Sequence, residues 1–98
     1  MTTRSLSFSS SPRQDMKPLT QYGRMAEKHW REFRPKMVAE LEAKGLLHEM
    51  LVAAEDQTDK ELDQIRRQLI HQGLTPRQAH DQAWEMVRER YIFLPPED

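Results

Sequence analysis

The residues most able to do chemistry are a His-Glu pair and two aspartates one helical turn apart. His48 and Glu49 begin the pattern H-E-x-x-H, in which two histidines on one helical face bind zinc and the glutamate acts as a base. Val52 stands where the second histidine would have to be. The zinc pattern is therefore broken, and we expect His48 to be an ordinary, partly exposed histidine.

The remaining titratable residues form no stronger pattern. His29, His71 and His80 are scattered without the spacing of metal ligands. Asp59 and Asp63 are four residues apart, a spacing that could bind a divalent cation or serve as an acid/base pair. They belong to an acidic run that also contains Glu55, Asp56 and Glu61. Without an apolar pocket around it, this run is more simply a solvated helix face.

Motifs for nucleotide or acyl chemistry do not occur in the sequence. A Walker loop, a G-x-G-x-x-G fingerprint and a G-x-S-x-G elbow are all missing, and three glycines are too few for the usual phosphate-binding loop. The chain has no cysteine, so we expect a cytoplasmic protein without disulfides. No apolar run approaches the roughly 20 residues of a membrane span. We predict that the protein is not an enzyme, uses no metal, cofactor or small-molecule substrate, and does not bind a membrane.

Positive charge is concentrated in the first third of the chain. Residues 1–36 carry eight basic and three acidic side chains, whereas residues 37–98 carry seven basic and thirteen acidic ones. Five basic residues lie on or beside the first predicted helix: Arg24, Lys28, Arg31, Arg34 and Lys36. We take these five as the candidate binding site for a protein or a nucleic acid. The simpler alternative is a solvated helix face on which Glu27 pairs with Arg31.

Local signals divide the chain into a tail and four helices. Residues 1–18 are rich in serine and lack apolar periodicity, so we predict a disordered tail there. Helices are predicted at about residues 20–33, 35–44, 46–72 and 76–92, which form one all-α bundle domain over residues 19–94. Their ends are marked by Thr20, Pro35, Gly45, Gly73, Thr75 and Pro76. Residues 95–98 are predicted to be a solvated end.

Apolar residues at three- and four-residue steps predict the buried side of each helix. In the first two helices these are Tyr22, Met25, Ala26, Trp30, Phe33, Met37, Val38 and Leu41. In the third they are Leu47, Met50, Leu51, Ala54, Leu62, Ile65, Leu69 and Ile70. In the fourth they are Ala79, Ala83, Met86 and Val87, with Trp84 or Tyr91.

The third helix contains a polar stretch that allows two interpretations. Thr58 and Glu61 fit a capping box, which would start a separate helix at that point. The stretch contains neither glycine nor proline, however, and this favours one continuous helix over residues 46–72.

Two short patterns identify a family. Y-G-R-M occurs from Tyr22 to Met25 and is followed by a basic, aromatic helix that ends in Arg34-Pro35. G-x-L-x-E-x-L follows at Gly45, Leu47, Glu49 and Leu51. With these patterns, most of residues 20–94 resemble the TnpV-like family of small transposon-encoded proteins. The resemblance implies an accessory protein of a mobile element and brings no established catalytic residue.

The sequence thus predicts a non-enzymatic helical accessory or adaptor module of a mobile element, which binds a protein or nucleic-acid partner through the basic first helix. The alternative is a structural, antitoxin-like or inhibitor-like helical protein that covers its aromatic stripe by forming a homo-oligomer. The mass of the protein in solution separates the two, because a strict monomer excludes the second.

Overall fold

The computed structural model describes residues 18–97, which contain four α-helices and no strand. The helices are α1 (Gln21–Phe33), α2 (Pro35–Ala43), α3 (Leu47–His71) and α4 (Pro76–Tyr91). The prediction of an all-α protein with four helices is confirmed, and each helix end lies within one residue of its predicted position. Apart from Pro18, the predicted disordered tail lies outside the described residues.

Glycine ends both α2 and α3. Gly45 has φ = 69° and Gly73 has φ = 110°, in the left-handed region that side chains with a Cβ rarely adopt. After α2, the N–H of Gly45 donates to Glu42 (3.0 Å) and the N–H of Leu46 donates to Leu41 (2.8 Å), and the same pair of bonds closes α3. This is the Schellman arrangement, which satisfies the last carbonyls of a helix and lets the chain turn back.

Thr58 lies inside a continuous α3. Its side chain is buried, and its Oγ1 donates to the carbonyl of Ala54, one turn earlier (2.8 Å). A threonine hydroxyl bonded to a carbonyl of its own helix does not cap a new helix start. The capping box lies instead at the start of α4, where Thr75 and Gln78 bond each other's backbone N–H.

The core consists of two adjoining clusters. The larger cluster joins α1, α2, the start of α3 and the end of the chain through Ala26, Trp30, Val38, Leu47, Leu51, Ala54 and Ile92. The smaller cluster joins α3 to α4 through Leu62, Ala83 and Val87. Tyr22, Trp84 and Tyr91 are half-buried and pack against both clusters. The position of α1 against α3 therefore organises the larger part of the core.

Four side chains that were predicted to be buried are exposed. Phe33, Met50, Ile70 and Met86 are 38%, 45%, 40% and 50% accessible. The periodicity of apolar residues predicts which side of a helix is buried. It does not predict how far around the helix the packing extends. Met86 illustrates this, because it lies about 100° around α4 from the fully buried Val87.

Glu55 is fully buried and caps the N-terminus of α1 from the middle of α3. Its Oε2 accepts hydrogen bonds from the backbone N–H of Thr20 (2.8 Å), the hydroxyl of Thr20 (2.7 Å) and the backbone N–H of Gly23 (3.1 Å). The start of a helix carries unpaired N–H groups and a partial positive charge, so a carboxylate is stabilised there. The prediction that the acidic run is a solvated face is wrong at Glu55.

Gly23 is the residue that lets this carboxylate approach. A Cβ at position 23 would lie 2.3 Å from Glu55 Oε2 and 2.9 Å from Leu19 Cδ2. The first distance is far below van der Waals contact, and a retreat of the carboxylate would lengthen or break the three hydrogen bonds that converge on Oε2. Oε1 is itself buried without a hydrogen-bond partner among the described residues. Glycine is therefore needed at this site for space, although its backbone is helical.

We predict that Gly23→Ala destabilises the protein by about 1–3 kcal/mol, because the new Cβ breaks hydrogen bonds to a buried charge. At an ordinary helical site the same change stabilises by up to about 1 kcal/mol. Urea denaturation followed by circular dichroism measures the difference. In a Glu55→Ala background the cost of Gly23→Ala should largely disappear. Gly45→Ala is the matched control: its cost comes from the backbone, so it should be the same in both backgrounds. A Gly23→Ala cost that does not depend on Glu55 would contradict the account.

Candidate partner-binding surfaces

The basic residues of α1 are partly used in bonds within the protein. Arg31 forms ion pairs with Glu27 (2.9 Å) and Glu42 (3.2 Å). The pKa of Arg31 is raised, chiefly by its hydrogen bond to Glu27. Arg24 donates a hydrogen bond to the carbonyl of Leu19 (2.9 Å). Because a carbonyl is neutral, this bond does not compensate the positive charge of Arg24. The basic residues predicted on α1 lie on that helix, but the charge of Arg31 is compensated by its two ion pairs.

Arg34 and Lys36 belong to the corner between α1 and α2. The Arg34 guanidinium donates to the carbonyl of Pro95 (2.7 Å), and its Nε lies 3.5 Å from the sulfur of Met37. The backbone N–H of Lys36 donates to the carboxylate of Glu97 (3.0 Å), while its side chain is exposed. The structure thus gives Arg34 an internal role and separates it from the outer face of α1. Lys28 is exposed on that face.

The end of the chain folds back along α1. We call residues 92–97 the C-terminal strap. The indole N–H of Trp30 donates to the carbonyl of Ile92 (3.1 Å), and His29 Nε2 bonds the carbonyl of Leu94 (2.8 Å). The N–H of Glu97 donates to the carbonyl of Phe33 (2.9 Å). Two neighbouring side chains and one backbone carbonyl of α1 therefore hold the strap in place.

Glu97 caps α2 in the way that Glu55 caps α1. Its two carboxylate oxygens accept the backbone N–H groups of Lys36 (3.0 Å) and Met37 (2.9 Å). Removal from water raises the pKa of Glu97, but these two N–H groups and the nearby charges of Arg34 and Lys36 outweigh that effect, so its pKa is lowered. We expected a solvated end at residues 95–98. Pro95 and Pro96 are exposed, whereas Glu97 is half-buried and bonded.

An apolar groove lies between α2, α3 and the strap. Its cavity has a volume of about 290 Å³. Its walls are mostly hydrophobic: Trp30, Met37, Leu41, Met50, Ala53, Ala54, Tyr91 and Leu94. The polar side chains Gln57 and Arg90 complete the lining. We call this the apolar groove.

A second cavity, of about 310 Å³, lies on the other side of the strap residue Phe93. It is lined by Met25, Lys28, His29, Glu32 and Phe93. The ring of His29 is 4.5 Å from that of Phe33 and 5.1 Å from that of Phe93, measured between centroids. We call this the aromatic cavity. Phe93 and Leu94, neighbours in the strap, thus line different cavities.

A third cavity, of about 510 Å³, adjoins the turn between α2 and α3. His48, the first residue of the broken zinc pattern, lines it together with Arg31 and the two glutamates that pair with Arg31. No group of three or more His, Cys, Asp or Glu side chains within residues 18–97 is placed to hold a metal ion. At this cavity Arg31 lies between two carboxylates, so its one positive charge offsets part of their negative charge.

Glu61 fixes the end of α4 against α3. It accepts a hydrogen bond from the Tyr91 hydroxyl and forms an ion pair with Arg90 (2.6 Å). The hydrogen bond from Tyr91 is the largest cause that lowers the pKa of Glu61, and Arg90 lowers it further. The same hydrogen bond raises the pKa of Tyr91. Glu61 is therefore a second member of the acidic run with a specific structural role. It also sets Arg90 and Tyr91 at the edge of the apolar groove.

Comparison with known families gives one match. The model of the transposon-encoded protein TnpV matches residues 6–92, which is most of the chain. The chain belongs to the TnpV family. No curated protein and no solved structure matches it.

The TnpV match also covers residues 6–17, which precede the described part of the chain. Within the described part, Gly23 of the Y-G-R-M motif makes room for Glu55, and Gly45 supplies the left-handed turn before α3. No helix within residues 18–97 is long and apolar enough to cross a membrane.

Sequence reasoning missed Glu55, Glu97 and the strap. Glu55 and Glu97 act on helices far from them in sequence, and no local pattern reports such a contact. The sequence offers Thr20 as an ordinary N-cap, but in the structure neither α1 nor α2 starts with a side chain that bonds its own helix. Their first N–H groups are bonded instead by carboxylates from distant parts of the chain.

We predict an acid-dependent loss of stability that Glu97→Gln removes. The pKa of Glu97 is lower in the folded protein, so its contribution is present above its unfolded pKa, about 4.3, and is lost as the pH falls through the folded value. Thermal denaturation should find the wild type more stable than Glu97→Gln at neutral pH, with the two converging as the pH falls below the folded pKa of Glu97. Glu85→Gln, on the exposed side of α4, is the matched charge control. A difference between wild type and Glu97→Gln that stays constant with pH would contradict the assignment.

Proposed function

We propose that this TnpV-family chain is a non-enzymatic accessory protein of a transposon, which works in the cytoplasm by binding an amphipathic helix of a protein partner in the apolar groove. The observation that carries the proposal is the groove itself, where methionine and leucine side chains line an open cavity of about 290 Å³. Methionine suits such surfaces because its flexible, polarisable side chain adapts to different partners.

The shape of the groove supports a helical occupant. Met50, Ala53 and Gln57 line it from successive turns of α3, so it runs about 10 Å along that helix. A partner helix fills such a groove with apolar residues spaced i, i+3 or i+4, and i+7. Arg90 lies in the lining, with half of its side chain exposed. Arg90 is already paired with Glu61, so we expect the partner helix to bind chiefly through its apolar residues.

A second copy of the chain fits the groove less well. A stable dimer buries about 1,200–2,000 Å². Among the side chains that line the groove, Met50 is the large apolar one that is clearly exposed, at 45% accessible. This supports a small, reversible contact with a different protein. The homo-oligomer expected as the alternative remains an outcome of the test below.

The earlier expectation placed the partner on the basic first helix. Two of these cations are less available for a purely electrostatic contact. Arg31 is paired with two carboxylates, and the charge of Arg34 acts on the carboxylate of Glu97. Arg24 and Lys28 remain on the outer face of α1.

We predict that a designed amphipathic helical peptide, with leucines spaced i, i+3 and i+7, binds the groove. Methyl NMR on methionine-labelled protein should show shifts at Met37 and Met50, which line the groove. Met86, which is 50% exposed on α4, is the internal control and should not move. Met50→Glu should weaken binding at least about tenfold, or 1.4 kcal/mol, because it places a charge in an apolar contact.

Equal shifts at all three methionines, or unchanged affinity in Met50→Glu, would contradict the proposal. Light scattering on the same samples decides the alternative. A concentration-dependent dimer that Met50→Glu dissociates would show that a second copy occupies the groove.

A further inference from the structure

We propose that the aromatic cavity binds an unpaired base of a single-stranded nucleic acid, and that it prefers a base with an exocyclic amino group. This inference does not rest on the proposed protein contact, because the two cavities lie on different sides of the strap.

The first argument is the arrangement of rings. Five rings form a continuous row along α1, from Tyr22 through Trp84, Phe93 and His29 to Phe33, with centroid separations of 5.3, 5.9, 5.1 and 4.5 Å. Phe33, at one end of the row, is 38% exposed, and His29 and Phe93 are half-buried at the cavity. Unstacked bases bind by stacking on partly exposed aromatic rings of this kind.

The second argument is that the ring of His29 is held in place. Its Nε2 bonds the carbonyl of Leu94 (2.8 Å), so that nitrogen carries the proton. In the neutral ring Nδ1 is then an acceptor. A ring fixed by a backbone bond loses less freedom when a base stacks on it.

The third argument is the pair of charges at the cavity. Lys28 and Glu32 both line it and are both exposed. Lys28 is placed to contact a phosphate, and Arg24 lies one turn away on the same face of α1. A carboxylate accepts hydrogen bonds from amino groups such as N4 of cytosine. The one donor on the edge of an unpaired thymine, N3–H, lies between two carbonyl oxygens that repel a carboxylate, and a carboxylate has no donor for them. Glu32 therefore favours cytosine over thymine.

These features favour single strands over duplex. The stacking surface is at a cavity, which a base reaches only when it is out of the helical stack. Two cations, Lys28 and Arg24, supply a modest salt dependence, with a slope of about −1.4 at about −0.7 for each phosphate contact on a single strand. The contact is therefore weak electrostatically and depends on stacking.

The test is fluorescence anisotropy with labelled oligonucleotides of about 12 nucleotides, within the usual site sizes of about 4–16. The ligands are oligo-dC, oligo-dT, oligo-rC and a duplex of mixed sequence, at neutral pH and low salt. We expect oligo-dC to bind more tightly than oligo-dT and much more tightly than duplex. Equal binding of oligo-dC and oligo-rC means that the cavity reads the base, whereas a preference for one shows a contact to the sugar as well.

Three variants test the parts of the proposal. Phe93→Leu keeps an apolar side chain but removes the ring, and should weaken oligo-dC binding about tenfold. Glu32→Gln should reduce the preference for oligo-dC over oligo-dT whatever it does to overall affinity. Lys28→Ala should lower the salt slope by about 0.7, whereas Lys60→Ala, on the exposed side of α3, should leave it unchanged. Circular dichroism confirms that each variant is folded.

Several results would overturn the inference. These are no binding at low salt, equal affinity for duplex and single strand, and binding that Lys28→Ala weakens but Phe93→Leu does not. The last result would show a purely electrostatic contact without a base in the cavity.

Discussion

A buried carboxylate at the start of α1 is the constraint on which the arrangement of this protein depends. Burying a charge costs several kcal/mol unless hydrogen bonds and opposite charge compensate it. Glu55 meets that requirement with three hydrogen bonds and the positive end of a helix. These bonds are satisfied only when α1 begins at one place along α3. Because Gly23 has no Cβ, the carboxylate of Glu55 can come close enough to form these bonds.

The two cavities follow from the position of α1. Once its start is fixed against α3, Trp30 and His29 on later turns hold the carbonyls of Ile92 and Leu94. Glu97 then closes the strap onto α2 by the same kind of contact that Glu55 makes with α1. The strap separates the apolar groove from the aromatic cavity. The two proposed contacts, with a protein and with a nucleic acid, would therefore both depend on the strap.

Much of the fold could be predicted from the sequence because the helix ends depend on local chemistry. Three kinds of signal act within a few residues of a helix end: glycine in the left-handed conformation, proline in the first turn and the capping threonine at position 75. The structure has each of them where the sequence predicts it. The binding surfaces depend on contacts between distant segments. A glutamate in an acidic run looks like an exposed residue, and nothing in the sequence shows that Glu55 points inward. Likewise, the periodicity that marks Met50 as apolar does not show that its neighbours leave it open.

NMR offers the most direct measurement of the central claim. Scalar coupling through a hydrogen bond, between the amide nitrogens of Thr20 and Gly23 and the side-chain carboxyl carbon of Glu55, reports these contacts without any substitution. The account predicts detectable coupling at both amides, together with slow hydrogen exchange at Gly23. Absence of coupling with rapid exchange at Gly23 would contradict it, because α1 would then begin without the carboxylate that the structure places there.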